Sequence, residues 1–269
     1  MVNKFYCKFC DFRTVRDYKF KEHLKNHSNI KNFNEILKKD KELKIYYGLI
    51  KPIDITLFVT SCGRPTLLKI TLESFVKHNN YPIKEAVIIE DSGKKGIIDF
   101  AKDILPYPCK IIYNEKNLGL FKSTLKGLES INTDWIFHCE DDWQFNSSNF
   151  IQNSLEIFNR NNTITLVTLI KHNHLLGKNF EKKAYDYYRY MKEYGAAGNY
   201  TTNPGLRKKE IYEPMKNLNN EGEVSLYYRK KGMKVAATLK TKGYLTHIGG
   251  KKSVYKVGSA YKKFSDTNK

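Results

Sequence analysis

Trp135-Ile-Phe-His-Cys-Glu140-Asp141-Asp142-Trp143 runs from a short apolar segment straight into three consecutive acids. Residues 135–139 read as a buried strand that stops at the acids. Adjacent acids are usually no more than a solvated turn. Set between a buried strand and Trp143, they read better as a cluster that gathers a hard divalent cation, because Mg²⁺ and Mn²⁺ take oxygen ligands.

The pattern repeats upstream. Residues 55–60 are apolar and β-branched and end at Ser61-Cys62-Gly63-Arg64-Pro65, and residues 66–77 set Leu68, Leu72, Phe75 and Val76 on one helical stripe. Residues 85–90 form the next strand and stop at Asp91-Ser92-Gly93. Then 97–105 reads as helix, 109–113 as strand and 118–130 as helix. Alternating strands and helices predict an α/β domain, a mostly parallel sheet flanked by helices, with ligands beyond the carboxyl ends of the strands. Polar residues collect at those ends: Thr60 and Arg64, Glu90 and Asp91, Asn117 and Gly119, Glu140 to Asp142. Downstream, 164–170 reads as a strand, 172–194 as a polar, Tyr-rich insertion, and Asn203-Pro-Gly-Leu-Arg-Lys208 leads towards a helix. Glu221-Gly-Glu223 opens a helix to residue 231, 235–239 is a strand, and His247-Ile-Gly249-Gly250 closes the domain.

A sheet with an acid pair after its second strand and Glu-Asp-Asp after its fourth resembles the Rossmann-like GT-A fold of nucleotide-sugar glycosyltransferases, closest to family-2-type enzymes, over residues 53–250. The resemblance implies Mn²⁺- or Mg²⁺-dependent, inverting transfer of a sugar from a nucleotide-diphosphate sugar, with a uridine-diphosphate sugar favoured. The cation has a physical task, since cleaving a sugar–diphosphate bond leaves negative charge on the β-phosphate. By the same resemblance Thr60 and Arg64 border the nucleotide, Asp91 with Glu90 faces base or ribose, Asn117 stands beside them, and Lys122 approaches the diphosphate. Glu140-Asp141-Asp142 takes the place of the family's Asp-x-Asp. Asp142 is then the direct metal ligand, Glu140 stands with it, and Asp141 meets the nucleotide sugar. An acid at the start of the later helix serves as catalytic base, which puts Glu223 first and Glu221 second, although the family's common Glu-Asp pair is absent. A late histidine completes the metal sphere, which points to His247.

Residues 7–27 carry a second motif, Cys7-x2-Cys10-x12-His23-x3-His27. Two cysteines from a hairpin knuckle and two histidines four apart on one helix face offer Zn²⁺ a tetrahedral set, and Phe5, Phe12 and Phe20 supply a small core. This resembles the ββα Cys-Cys-His-His zinc finger, whose contact positions fall here on Arg16, Lys19 and Glu22. Arg16 and Lys19 are the candidates for touching nucleic acid. A lone finger covers about 3 bp and buries too little to hold DNA tightly by itself. The expected organisation is a finger over 1–30, a polar and helical linker over 31–52, the transferase domain over 53–250 and a basic tail over 251–269.

Charge adds a partner. The net charge is +19, and it is uneven. Residues 1–50 hold 12 Lys/Arg against 6 Asp/Glu, residues 229–269 hold 12 against Asp266 alone, and the span between carries 23 against 21. Two basic ends on a near-neutral body predict a polyanionic partner. With the finger, this makes a hydroxyl on DNA, such as a hydroxymethylpyrimidine, the expected acceptor. The alternatives are a glycan, protein or small-molecule acceptor with the finger as docking module, and a catalytically inactive nucleic-acid-binding protein. The 41% hydrophobic content supports a packed core. No run approaches the ~20 apolar residues that span a bilayer, and no signal-peptide core opens the chain. A soluble, intracellular protein with no membrane partner is expected, in the cytoplasm or a host nucleus, since the Lys- and Asn-rich composition and small size fit a viral source. The five cysteines, an odd number, are expected to be reduced.

Overall fold

Seven consecutive residues, Ile55–Ser61 (β3), are all buried, as a strand covered on both faces must be. In the computed structural model of the chain, the described residues are 53–169, 199–238 and 243–250, with the strand residues 5–6, 13–14, 180–181 and 188–191. The chain divides into two compact units, Met1–Ile53 and Asp54–Lys269. In the first, Phe5–Tyr6 (β1) pairs antiparallel with Arg13–Thr14 (β2). The zinc candidates Cys7, Cys10, His23 and His27, the contact candidates Arg16 and Lys19, the 31–52 linker and the 251–269 tail lie outside the described residues.

The second unit follows the predicted alternation. After β3 come Pro65–His78 (α1), Glu85–Glu90 (β4), Ala101–Ile104 (α2), Cys109–Tyr113 (β5), Leu120–Leu128 (α3) and Trp135–Glu140 (β6). Then follow Trp143–Phe145 (β7), Phe150–Arg160 (α4), Ile164–Thr168 (β8), Phe180–Glu181 (β9), Tyr188–Met191 (β10) and Gly205–Lys208 (β11). A 3₁₀ helix Lys209–Lys216, Glu221–Lys230 (α5), Lys234–Thr238 (β12) and Leu245–His247 (β13) complete it.

The main sheet has the order β5-β4-β3-β6-β11-β8-β12-β10-β9. Strands β5, β4, β3 and β6 are parallel, and β12 is parallel to β8. The expectation of a mostly parallel sheet therefore holds for seven strands, among which β11 alone runs against its neighbours β6 and β8. Two antiparallel strands, β10 and β9, extend the β12 edge. Residues 205–208, within the segment expected to lead towards a helix, thus form this reversed strand. Helix α4 and the β7–β13 pair also lay outside the sequence reading.

The pleat sends alternate side chains to two cores. On one side Phe58, Val87, Ile89 and Ile136 meet α3, the 3₁₀ helix and α5 through Leu128, Tyr212, Met215, Val224 and Tyr228. On the other side Phe75 of α1 meets Phe137, Phe145 and Phe150, with ring centroids 5.2–5.7 Å away. Register puts the carboxyl ends of three strands level, pairing Thr60 with Glu140 and Ser61 with Glu90.

Close strand packing sets one strict requirement. A Cβ on Gly205 would run into the main-chain carbonyl oxygen of Val167, and backbone cannot move aside as a side-chain tip can. Gly205→Ala is expected to destabilise the protein by about 1–3 kcal/mol. A lower urea midpoint with unchanged slope is the measurement that checks it.

Candidate active site

The sheet changes direction at β3. The chain passes from β3 to β4 and β5 on one side, then returns to lay β6 on the other, and the crevice beyond β3 and β6 is where such folds receive ligands. A cavity of about 380 Å³ opens there. Its walls are Thr60, Ser61, Cys62 and Arg64 after β3, Asp91 after β4, and Asn117, Gly119, Leu120 and Ser123 at the start of α3. Glu140, Asp141, Asp142 and His247 complete it. Helices α1 and α3 both begin at this cavity, after Arg64 and Gly119. Their free N–H groups and dipoles favour an anion.

The three acids do different things. Asp141 is fully buried; its Oδ2 accepts from the Ser61 hydroxyl at 3.0 Å, the Cys62 N–H at 3.2 Å and Arg64 Nε at 3.2 Å, while Arg64 Nη2 pairs with Oδ1. Burial pushes the Asp141 carboxyl up, and Arg64 offsets part of that. Asp142 Oδ2 accepts from Arg64 Nη1 at 2.8 Å and lies 3.1 Å from His247 Nε2. Glu140 accepts from Trp143 Nε1 at 3.2 Å. Its carboxyl is pushed up to about 8 by burial first and the Asp142 charge second. Carboxyls displaced this way in a cleft mark a functional site.

The acids are held by a helix on one side and a late strand on the other. The Thr71 hydroxyl of α1 donates to the Asp141 carbonyl at 3.0 Å and accepts from the Trp143 N–H at 3.1 Å. His247 arrives through β13, which pairs it with Trp143, and the Ile248 N–H reaches the Asp142 carbonyl at 2.8 Å. The Trp143 and His247 rings lie 4.8 Å apart. Thr71, Trp143 and Gly249 escaped the sequence reading as site residues. Thr71 left one signal, a polar residue beside the apolar stripe of α1.

Of the residues read from sequence, Thr60, Arg64, Asp91, Asn117, Glu140, Asp141, Asp142 and His247 share this cavity. Asp91 also clamps the loop before α3, accepting from the Leu118 and Gly119 N–H groups at 2.7 and 2.8 Å and from Asn114 at 2.7 Å. Two stand off the cavity wall. Glu90 is fully buried behind it, spent on the Ser61 hydroxyl and the Gly63 and Ser92 N–H groups. It shapes the turn after β3. Lys122 is solvent-exposed and off the wall, because Leu120 and Ser123 present the cavity face of α3. A helix turns about 100° per residue, which carries Lys122 out.

The two candidate bases also part. Glu223 closes a capping box at the start of α5: its carboxylate accepts from the Asn219 N–H at 2.8 Å and from Asn220 Nδ2 at 2.9 Å, while its own N–H reaches Asn220 Oδ1 at 3.0 Å. Glu221 turns inward. It accepts from the Thr202 N–H at 3.1 Å, burial pushes its carboxyl up, and its charge is felt at Glu140 on the cavity wall. Neither carboxylate is among the residues that line the cavity.

Asp142 and His247 suit a divalent cation. One carboxylate oxygen and one ring nitrogen meet where Gly249 leaves no room for a Cβ, which would strike Asp142 Oδ2 and stand 3.0 Å from His247 Nε2. Among the described residues no group of three His, Cys, Asp or Glu forms a ready-made cage. Mg²⁺-type ions are commonly held by one or two protein ligands plus substrate phosphates, so the pair fits that habit.

The family described as Glycosyl transferase family 2 matches residues 56–234, well over half of the chain. Among solved structures, the chain is similar to the mannosyltransferase PcManGT from Pyrobaculum calidifontis, solved with GDP-Man and Mn²⁺, at TM-score 0.53 and 12% identity, covering 75% of this chain and 62% of that one. It is also similar to S. aureus TarS, at TM-score 0.51 and 12% identity over 72% of this chain and 36% of that one. For the TarS fragment 1–349 the values are 0.51 and 13%, covering 72% of this chain and 60% of that one. The chain thus spans less than two thirds of each of these structures, and the likeness shows a shared GT-A fold. Comparison with curated proteins finds no match.

Gly249→Ala is expected to weaken Mn²⁺ binding at least tenfold, by driving a methyl between Asp142 and His247. Calorimetric titration of Mn²⁺ into the folded variant checks it, and an unchanged isotherm would remove Gly249 from the site.

Proposed function

The chain belongs to glycosyl transferase family 2, and on that premise we propose that it moves a sugar from a nucleotide-diphosphate sugar to a hydroxyl carried on DNA. One observation carries the donor half: Asp142, His247 and Arg64 converge in one cavity with Thr60, Asp91 and Asn117 and with the starts of two helices. Nucleoside and diphosphate would lie along that wall.

In this reading Glu221 takes the proton of the acceptor hydroxyl. The freed oxygen attacks the anomeric carbon, and the bond from that carbon to the β-phosphate oxygen breaks. The electron pair leaves with the nucleoside diphosphate, and a single displacement inverts the anomeric centre. A divalent cation on Asp142 and His247, such as the Mn²⁺ bound with PcManGT, would neutralise the departing diphosphate. Arg64 and the helix N-termini add fixed positive potential. Burial raises the proton affinity of the Glu221 carboxyl, which favours its role as proton acceptor.

The DNA half is supported by the sequence. Cys7, Cys10, His23 and His27 have zinc-finger spacing, Arg16 and Lys19 fall at its contact positions, and both ends of the chain are basic. A base within a duplex cannot enter such a cavity, so the target would be flipped out. The test is incubation of the full chain and Mn²⁺ with uridine- and guanosine-diphosphate sugars and with hydroxymethylpyrimidine or unmodified DNA, followed by nucleoside mass analysis. A sugar mass on the modified nucleoside alone is expected. Transfer to a soluble glycan with none to DNA would overturn this acceptor.

Glu221→Gln should lower kcat by about 10²–10⁴-fold with donor KM nearly unchanged, because a base acts on the acceptor. Glu223→Gln should keep turnover and lose up to about 1 kcal/mol of stability through its cap. The reverse pattern in steady-state kinetics would return the role to Glu223.

Deleting residues 1–30 should weaken DNA binding and flatten its salt dependence, since each phosphate contact releases counterions. Fluorescence anisotropy across a salt series reads this, and equal slopes for both forms would mean that the finger does not touch DNA.

A further inference from the structure

Arg207, on β11, is fully buried. Its Nη1 donates to the Thr201 carbonyl at 2.8 Å and its Nη2 to the Asn203 carbonyl at 2.6 Å. The guanidinium lies 5.9 Å from the Tyr200 ring centroid and 5.6 Å from that of Tyr212, and its Nε has no partner. Among the described residues no carboxylate stands at ion-pair distance from it. His138, the nearby titratable ring, is driven down by burial and by the Arg207 charge. A lone buried cation of this kind is costly to fold.

The segment it grips has a second face. Glu221 Oε1 accepts from the Thr202 N–H at 3.1 Å, and within the same segment the Thr201 hydroxyl accepts from the Asn203 N–H at 3.3 Å. Arg207 therefore ties down residues 201 and 203, and the residue between those ties holds the carboxylate. The Arg207 charge is also felt at Glu221.

We infer that Arg207 is a positioning residue for Glu221: it fixes the 201–203 segment, and that segment aims the carboxylate at the acceptor hydroxyl. The inference rests on the reading of Glu221 as the proton acceptor. Arg207 touches neither substrate nor cation. A group held loosely by even about 1 Å loses on the order of 10²-fold in rate, so a remote arginine can matter to turnover without mattering to donor binding. Lysine at 207 has one ammonium for two carbonyls and would restore part of the effect.

The test is a cycle in the full chain, made of Arg207→Met, Arg207→Lys and Thr201→Val, each alone and on Glu221→Gln. Thr201→Val leaves the Arg207 contacts to the 201 and 203 carbonyls in place and removes the hydroxyl that holds the Asn203 N–H, so it loosens the same segment and decides the matter even if Arg207→Met fails to fold. Expected are a kcat loss of about 10²-fold for Arg207→Met, a smaller loss for Arg207→Lys and about tenfold for Thr201→Val. Donor KM should stay within twofold. On Glu221→Gln, none of the three should lower the residual rate further, because the residue they act through is gone. Full additivity, or normal kcat in Thr201→Val, overturns the inference and leaves Glu221 as base. Normal turnover in Glu221→Gln alone removes the base reading and this inference with it.

Discussion

Three carboxylates in sequence at the end of a buried strand repel one another and lose hydration, and the rest of the site exists under that constraint. Removing an ion from water costs about several kcal/mol even after relaxation. The chain answers differently at each position. Asp141 is neutralised by Arg64 and held by two further donors, the Ser61 hydroxyl and the Cys62 N–H. Asp142 shares Arg64 and adds His247. Glu140 has one indole N–H, and its proton affinity rises instead. The period-two pleat and the turn after it make this division possible, because adjacent side chains leave β6 in different directions.

That constraint reaches far along the chain. Arg64 precedes α1 directly, so the helix that packs Phe75 into the aromatic core also presents the counter-charge. Thr71, two turns on, grips the backbone of the acid turn from below. His247, more than 100 residues later, is delivered by the β13–β7 pairing rather than by the main sheet. Each contact comes from a separate element, so the turn is fixed by tertiary structure and not by local propensity.

How much of this was legible depends on the period of the signal. Strands buried on both faces, such as β3 and β4, are unbroken apolar runs, and their limits could be read to within a residue. The site could be read at strand ends because polar residues there follow apolar runs without a gap. Strand β11 could not, because Gly205-Leu-Arg-Lys208 has no apolar run and its burial comes from β6 and β8 on either side. Glu90 was ambiguous for a related reason. An acid at a strand end looks the same whether it faces the cavity or the turn behind it, and only the donors of Ser61, Gly63 and Ser92 tell the two apart.

Glu221 and Glu223 show the limit most sharply. They are two residues apart at one helix start, so helical geometry sends their side chains about 200° apart around the axis. One must turn to the protein and the other away from it. A sequence shows that an acid is present but not which is which, because either could serve the helix dipole. The residue three after the cap is the one that can fold back on it. With Asn220 as cap, Glu223 takes that place, and Glu221 is left to the interior, where the Thr202 N–H and the charge of Arg207 receive it. A cap two residues earlier would give that place to Glu221 instead. The position of one asparagine thus decides which carboxylate caps the helix and which turns inward.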